Sequence, residues 1–369
     1  MQRRAVLAAA GLLSTGAIAM PSDDWVPTAP EAAGFAPDLA KIFAAGLRSG
    51  LLRNVHALLV ARGDRLVLEY YGAGPDEAWG RDLGQVVFGP EVLHDLRSVT
   101  KSVTGLLYGI ALDHGQVPPP AAPLLAQFLD YADLSGDPRR AAMTVNHALT
   151  MTMGLAWDES LPYTDPRNSE IAMENAQDRL CYALAQPVVA APGSKWIYSG
   201  GAVALVAALI ARGTGRPLED FAREALFAPL GIAAFEWAKG RDSVASAASG
   251  LRLRPRDLLR LGRLALAGGQ WGGRQVVSRG WIEAATRPAI ATGDGLEYGR
   301  LWFLGAARTP ALPGPRRWFA GFGNGGQRLW VLPDADLTVV SLSGAYNQRD
   351  SWITPARIFQ EIVVANLLR

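Results

Sequence analysis

Ser98 and Lys101 stand three positions apart and could together form an activated nucleophile. Residues at this spacing lie on one face of an α-helix, so the lysine amine would face the serine hydroxyl. If the site excludes water, desolvation lowers the pKa of the lysine, and a neutral amine can then accept the serine proton. A serine at the start of a helix also meets free backbone N–H groups that favour developing negative charge. The pair therefore predicts a Ser98 nucleophile.

The S-x-x-K spacing is a weak signal when it stands alone. At ordinary residue frequencies it should occur about once by chance in a chain of 369 residues, and a helix cap beside a solvated lysine is the simpler interpretation. Lysine is rare in this chain, however, with four lysines against 32 arginines. Arginine does not give up its proton in proteins, whereas lysine can. A lysine at position 101 therefore favours the catalytic interpretation.

Two further segments follow the serine in order along the chain. Tyr198 lies in a predicted turn, residues 192–200, and stands 100 residues after Ser98. The glycine-rich segment 323–327 begins 125 residues after Tyr198 and opens an apolar strand. Three signals in a fixed order are more specific than any one of them.

The elements that position these residues can be predicted from apolar periodicity. Helical spacing marks residues 37–47 and 98–114, and Pro355 opens a last helix to Leu368. Short or alternating apolar runs predict strands near both chain ends, at residues 56–61, 66–71, 298–304, 317–322, 327–332 and 337–343.

Strands at both ends with helices between them predict an α+β fold. The two chain ends would form one antiparallel sheet with flanking helices. The predicted α/β domain is therefore discontinuous, with residues 24–115 and 241–369, and residues 116–240 would form an inserted, mainly helical domain.

The three ordered segments resemble the S-x-x-K, Y-x-N/S and K-T-G elements of the class C β-lactamase and penicillin-binding-protein superfamily. They resemble more closely its esterase and 6-aminohexanoate-dimer hydrolase branch, in which the third element tends to be x-G-G. Residues 149–159 and 254–262 are also similar to that branch, so the resemblance covers nearly the whole mature chain. It implies a β-lactamase/transpeptidase-like fold and a serine hydrolase that cleaves an amide or ester through an acyl-enzyme, without a cofactor.

The resemblance also implies a role for each matched residue. Ser98 would form the acyl-enzyme, and Lys101 would hold or accept its proton. Tyr198 would carry a proton to the leaving group and later from water, which a phenol can do only if a neighbouring cation depresses its pKa. The backbone N–H groups of Ser98 and Gln327 would form the oxyanion hole. Which of Lys101 and Tyr198 acts as the base in each step stays open.

The third segment differs from the pattern of penicillin-recognising members. Asn324 stands where those proteins usually carry lysine or histidine to pair with the substrate carboxylate. Asparagine offers hydrogen bonds without charge, so a neutral amide or ester is the expected substrate. Gly325 and Gly326 would let the strand approach that substrate closely.

Several aromatic side chains fall in or near the expected cleft loops. Trp157 and Tyr163 are predicted to bind substrate, although core packing explains any single aromatic residue equally well. The same holds for Trp196, Trp302, Phe322 and Tyr346. Asp158 and Glu159 could interact with a substrate amine.

Other kinds of site have little support in the sequence. His56, His94, His114 and His147 lie apart and none forms H-E-x-x-H, so they are expected to be structural and no metal site is predicted. No serine lies in G-x-S-x-G, the signature of α/β-hydrolases. Cys181 is the single cysteine and is expected to be buried and inert on a helix.

Composition and the chain start indicate an exported globular protein. A formal net charge of +2 without runs of like charge gives no support for nucleic-acid binding. Residues 1–19 combine two arginines, a short apolar stretch and an A-x-A pattern, which predicts a signal peptide. The adjacent arginines also resemble a twin-arginine signal, although they are common in general secretory signals. No later stretch is long enough to span a membrane, so a periplasmic or secreted protein is expected.

Two alternatives to an amidase or esterase remain. The first is a true β-lactamase or D-alanyl-D-alanine carboxypeptidase. The second is an exported binding protein that keeps the scaffold without turnover, although Ser98, Lys101 and Tyr198 are all present. The oligomeric state stays open.

Overall fold

The computed structural model describes residues 25–369 of the chain. The predicted signal peptide, residues 1–19, lies outside the described residues. No helix within 25–369 combines the length and the apolar character needed to cross a membrane.

The described chain is a mixture of strands and helices. The strands are β1 (Val26–Pro27), β2 (Val55–Arg62), β3 (Arg65–Tyr71), β4 (Ala73–Ala78), β5 (Arg81–Val87), β6 (His94–Asp95), β7 (Glu236–Trp237), β8 (Leu251–Leu253), β9 (Gln270–Trp271), β10 (Arg274–Gln275), β11 (Ile290–Ala291), β12 (Glu297–Tyr298), β13 (Phe303–Thr309), β14 (Leu312–Gly323), β15 (Gln327–Leu332) and β16 (Leu337–Ser343). The α-helices are α1 (Leu39–Arg48), α2 (Val99–Asp113), α3 (Pro138–Ala141), α4 (Val145–Leu149), α5 (Ser169–Glu174), α6 (Arg179–Ala185), α7 (Gly200–Thr214), α8 (Leu218–Ala222), α9 (Pro255–Leu266), α10 (Arg279–Ala285) and α11 (Ile353–Arg357). Short 3₁₀ or π turns occupy Pro30–Ala33, Leu125–Gln127, Leu129–Gly136, Arg223–Phe227, Pro333–Ala335, Ile358–Val363 and Val364–Asn366.

The main sheet is built from both ends of the chain, as the sequence predicts. Its strand order is β1-β3-β2-β16-β15-β14-β13-β12-β11. The pairs are antiparallel, apart from the short parallel pair of β1 with β3. The α+β prediction is therefore confirmed.

Helices cover both faces of this sheet, so a central strand such as β2 needs apolar residues on both of its faces. Side chains alternate between the two faces of a strand. Leu58 and Val60 join a core with α1 and the C-terminal helical turns. Leu59 and Ala61 join the larger core, which also contains α2, α7 and α9. With both faces covered, β2 is buried along nearly its whole length.

Helix α2 lies inside the larger core and is buried from Val99 to Ala111. It packs against α7 and against the sheet, where Gly321 lies so close that a Cβ atom there would be 2.9 Å from Val99. Gly109 leaves room for Trp281 in the same way. The residue that precedes α2, Ser98, therefore stands on a firmly packed support between the sheet and the helical segment.

The predicted elements agree with the structure in most places. The strands at 327–332 and 337–343 are confirmed at both ends. The single strand predicted at 298–304 is wrong, because the chain turns there between β12 and β13. Leu301 has a left-handed backbone (φ 61°), and its N–H donates to the carbonyl of Leu149.

Three further details differ from the sequence predictions. The last helix begins at Ile353 rather than Pro355. The hairpin β4–β5 was not predicted, because residues 73–87 are polar and glycine-rich without apolar alternation. Cys181 is half-buried rather than buried. Helices α3 to α8 all fall within the segment predicted as the inserted domain, whose boundaries stay a prediction.

Candidate active site

Ser98 is held by an unusual backbone conformation at the entry to α2. The preceding residue, Arg97, is left-handed with φ 47°, a region that non-glycine residues seldom adopt. Its N–H donates to Asp95 Oδ1 at 3.0 Å, and its guanidinium pairs with Glu77 at 2.5 Å. These contacts fix the turn that places the Ser98 side chain.

The Ser98 hydroxyl is not used as a helix cap. It makes no hydrogen bond to the backbone of α2; instead Lys101 Nζ donates to Ser98 Oγ at 3.0 Å. Lys101 is only 2% exposed and also donates to the carbonyl of Ala248 at 3.1 Å. The simpler interpretation of a cap beside a solvated lysine is therefore wrong.

Lys101 has a counter-charge that was not predicted from the sequence. Glu170, on α5, is 1% exposed, and its Oε2 lies 3.5 Å from Lys101 Nζ. Burial lowers the pKa of Lys101, but Glu170, Tyr198 and Glu159 raise it, and the net pKa lies above the usual value. Desolvation alone would favour a neutral lysine, but here a buried carboxylate compensates the charge of Lys101. The role of Lys101 as the base stays a prediction.

Tyr198 stands directly before α7, whose first turn is capped by the Ser199 hydroxyl accepting from Ala202 N–H at 3.1 Å. Lys101 Nζ lies 4.7 Å from the centre of the Tyr198 ring, and the phenol interacts with both Ser98 and Lys101. Burial raises the pKa of Tyr198 and Lys101 lowers it. The net pKa is raised, so the expected depression by a cation is present but is outweighed.

Glu159 is held by three donors beside the same cluster. Its Oε1 accepts from Trp157 Nε1–H and from Gly200 N–H, each at 2.6 Å, and its Oε2 accepts from the Tyr163 hydroxyl at 2.8 Å. Burial and Glu170 raise the pKa of Glu159 to about 7, against the opposing effect of Lys101. Its oxygens are thus engaged within the protein, whereas the neighbouring Asp158 is exposed at the cavity.

The glycine-rich segment forms the turn between β14 and β15. Gly325 and Gly326 have φ of 80° and 93°, and a Cβ atom at Gly325 would lie 2.7 Å from the ring of Tyr346. Asn324 Oδ1 accepts from Asn347 N–H at 3.0 Å. The side chain of Gln327 is tied to Ser343, which fixes the start of β15. The glycines are therefore required by the turn itself, and the oxyanion role of Gln327 stays a prediction.

One cavity of about 1060 Å³ is lined by several of the predicted site residues. Others that were predicted for the site or its cleft do not line it: Lys101, Gly325, Gly326, Gln327 and Tyr346. Its lining includes Ser98, Tyr198, Asn324, Trp157 and Tyr163. Trp196 and Phe322 also line it, as expected. Trp302 does not: it is 1% exposed in the larger core. A second cavity of about 330 Å³ is also lined by Ser98, so this residue borders both cavities.

Two histidines that are distant in sequence meet in the structure. His56 Nδ1 and His94 Nε2 are 2.9 Å apart in a fully buried cluster with Asp76, and the donor atoms of the three lie within 4.8 Å of one another. Asp76 already pairs with Arg252 at 2.9 Å and accepts from the Tyr346 hydroxyl at 2.8 Å. The two histidines bond to each other, whereas His56 Nε2 is buried without a hydrogen-bond partner among the described residues. The structural role of these histidines stays a prediction.

Comparison with known proteins agrees with this geometry. A family model described as β-lactamase matches residues 39–351. A 6-aminohexanoate-dimer hydrolase of Paenarthrobacter ureafaciens is 27% identical over 320 residues, which cover 78% of this chain and 72% of the relative.

Solved structures share the fold at low identity. EstCE1, a hydrolase with promiscuous acyltransferase activity, is similar with a TM-score of 0.66 and 16% identity, covering 87% of this chain and 98% of that one. A penicillin-binding protein homologue from Caulobacter crescentus gives a TM-score of 0.63 and 19% identity, covering 89% and 97%. Since the family model spans most of the sequence, this chain belongs to the β-lactamase family of serine hydrolases.

Proposed function

We propose that this protein hydrolyses an ester or amide bond through an acyl-enzyme on Ser98. The observation that carries the proposal is the 3.0 Å contact between Ser98 Oγ and Lys101 Nζ, at a hydroxyl that opens to the main cavity. The names of similar proteins, among them a 6-aminohexanoate-dimer hydrolase and a family VIII carboxylesterase, support the same class of reaction.

The chemistry proceeds in two acyl-transfer steps. Ser98 Oγ attacks the carbonyl carbon, and the serine proton enters the group formed by Lys101, Tyr198 and Glu170. The Tyr198 hydroxyl donates a proton to the leaving oxygen or nitrogen as the carbonyl–leaving-group bond breaks. Water then attacks the acyl-enzyme, and the proton path runs in reverse. Backbone N–H groups of Ser98 and Gln327 stabilise the negative oxygen in each step.

A fluorophosphonate probe tests the nucleophile directly. The folded wild type should be labelled on Ser98 and should hydrolyse p-nitrophenyl esters, and Ser98→Ala should lose labelling and at least about a thousandfold in kcat/KM. Ser160→Ala is the matched control, because Ser160 lines the same cavity. Labelling that persists in Ser98→Ala, or a folded wild type that is never labelled, would contradict the proposal.

Turnover of β-lactams is not part of the proposal. Asn324 carries no charge, and its Oδ1 already accepts from Asn347 N–H. Nitrocefin hydrolysis or stable acylation by penicillin would favour a β-lactamase or D-alanyl-D-alanine carboxypeptidase instead. Ligand binding that is unchanged in Ser98→Ala, together with no hydrolysis by the wild type, would favour a binding protein.

We also propose that the protein is exported to the periplasm or secreted. The basic start, the apolar stretch and the A-x-A pattern within residues 1–19 support export. The amino-terminal sequence of the protein purified from cell fractions tests this, because cleavage after Ala19 is expected in the exported form. Full-length protein found in the cytoplasm alone would overturn the proposal.

A further inference from the structure

The main cavity has an aromatic wall that contains a buried arginine. Phe322 stacks on Phe303 with ring centres 4.7 Å apart, and Trp318 and Trp330 pack near Phe322 at 5.9 and 6.0 Å. The guanidinium carbon of Arg328 lies 4.5 Å from the centre of the Phe322 ring. All five residues line the same cavity as Ser98.

The hydrogen bonds of Arg328 use one of its three nitrogens. Nη1 donates to the carbonyls of Gly323 and Gln327, at 2.9 and 2.8 Å. Among the described residues, Nε and Nη2 have no acceptor and no carboxylate pairs with the guanidinium. Stabilisation of the β14–β15 turn therefore accounts for Nη1 of the guanidinium, and it does not account for Nε and Nη2.

Other buried arginines in the described chain differ from Arg328. Arg97, Arg179 and Arg252 each pair with carboxylates. Arg140 has no carboxylate, but both of its terminal nitrogens donate to main-chain carbonyls. Arg328 combines burial, at 8% exposure, with unpaired donors and a place on a cavity wall.

A guanidinium in this position favours an anion that enters the cavity. A charge removed from water is unfavourable unless it is paired, and burial lowers the pKa of Arg328 to about 10. Aromatic walls also keep the local dielectric low, which strengthens attraction to an opposite charge. The planar fork of arginine matches the two oxygens of a carboxylate.

We propose that Arg328 binds a carboxylate on the part of the substrate that occupies the main cavity. The inference rests on the proposed function of Ser98. It names the substrate class more closely, as an ester or amide whose chain in the main cavity carries a free carboxylate. Arg328 directly follows Gln327, the proposed oxyanion donor. Only a short carbon chain of the substrate would therefore separate its carboxylate from its reacting carbonyl.

The position of Arg328 changes the expectation drawn from Asn324. The missing charge at position 324 implies a neutral substrate if that position alone is considered. Arg328 supplies a cation four residues later, on β15, where it is paired in register with Phe322 of β14. The acidic residues that line the cavity, Asp158, Glu159 and Asp294, form no ion pair with it. The oxygens of Glu159 accept from Trp157, Tyr163 and Gly200 instead.

Matched substrates can separate recognition of charge from general activity. The probes are p-nitrophenyl monoesters of straight-chain dicarboxylic acids, from succinate to suberate, each compared with the same ester whose far carboxyl is capped as a methyl ester. The wild type should prefer the free acid by about tenfold to a hundredfold at one chain length. Arg328→Met should abolish that preference, so that the free acid and the capped ester react with similar kcat/KM. Arg308→Met is the matched control, because Arg308 is exposed on β13 of the same sheet and does not line the cavity.

A binding measurement keeps the test independent of turnover. The free dicarboxylate should bind the Ser98→Ala protein, and the dissociation constant should rise at least about tenfold in Ser98→Ala with Arg328→Met. A wild type without preference for the free acid, or an equal loss on free and capped esters in Arg328→Met, would overturn the carboxylate site. Failure of fluorophosphonate labelling and of all ester hydrolysis would instead contradict the proposed function, and the dicarboxylate titration would still decide the role of Arg328.

Discussion

Lys101 and Arg328 are both buried cations, one beside the Ser98 hydroxyl and the other on the wall of the cavity that Ser98 lines, but they differ in what surrounds their charge. Lys101 faces Glu170, Ser98 Oγ and the carbonyl of Ala248. Arg328 has two carbonyls on one nitrogen and an aromatic ring on its face. The first charge is compensated within the protein, where catalysis needs a proton held at a defined place. The second is left open, where a ligand could supply the opposite charge.

The largest expected effect comes from removal of the compensated cation. Lys101→Met should lower kcat/KM on p-nitrophenyl esters by at least about a thousandfold, because Ser98 loses the amine that contacts its hydroxyl and belongs to the proposed proton-transfer group. It should also lower the free energy of unfolding by about 3 kcal/mol, because Glu170 is left buried without its partner. Ester kinetics and chemical denaturation measure the two effects.

Lys101→Arg separates the charge of residue 101 from its ability to transfer a proton. Arginine keeps the positive charge beside Glu170 but does not release a proton, so stability should largely return while activity stays low. Activity near the wild-type level in Lys101→Arg would mean that the residue acts only through its charge.

The next largest effect is expected in the pH profile of kcat/KM when Glu170, the counter-charge of Lys101, is replaced. Glu170 helps to hold the pKa of Lys101 above its usual value, so Glu170→Gln should lower that pKa. If the neutral lysine accepts the serine proton, the alkaline-rising limb of the kcat/KM profile moves to lower pH. Glu219→Gln is the control, since Glu219 pairs with the exposed Lys239. Glu170 also raises the pKa of Tyr198, so an unmoved limb in Glu170→Gln would mean that neither Lys101 nor Tyr198 controls it.

Glu159, which lies beside Lys101, allows a test through the pH dependence of the free energy of unfolding. Its pKa is raised from 4.5 to about 7 in the folded protein, mainly by burial. The folded state therefore holds a proton that the unfolded state releases between these values, so stability falls as pH rises through this window. Glu159→Gln should show a smaller loss of unfolding free energy between about pH 5 and about pH 8 than the wild type.

The comparison between variant and wild type isolates Glu159 from other groups. Glu174 and Asp257 also have raised pKa values, and they contribute equally to both proteins. Glu283→Gln, on the exposed side of α10, should follow the wild-type curve. Identical curves for wild type and Glu159→Gln would show that Glu159 keeps an ordinary pKa.

The elements that were predicted correctly are those whose local sequence pattern determines their secondary structure. The strands β15 and β16 are apolar runs bounded by turns, and the helix after Ser98 has a continuous apolar face. The strand predicted at 298–304 failed because its turn depends on a contact with Leu149, far away in sequence. A window along the chain contains no information about such a contact.

The same division holds within the site. Ser98, Lys101 and Tyr198 lie in recognisable motifs, and the structure brings them together. Glu170 belongs to no motif and reaches Lys101 from 69 residues further along the chain. Arg328 is one of 32 arginines, and only its burial and missing partners distinguish it. Charges that act through tertiary contacts have no local signature, which is why both residues were missed.

The smallest expected effect is the stability change on removal of the open cation. Arg328→Met should change the free energy of unfolding by less than about 1 kcal/mol, because two carbonyl hydrogen bonds are lost while the desolvation cost of a buried charge disappears. Chemical denaturation beside Lys101→Met gives the comparison. A loss as large as that of Lys101→Met would mean that Arg328 is compensated within the protein after all. A small change, together with a loss of preference for the free acid, would mean that the charge of Arg328 is held for the ligand.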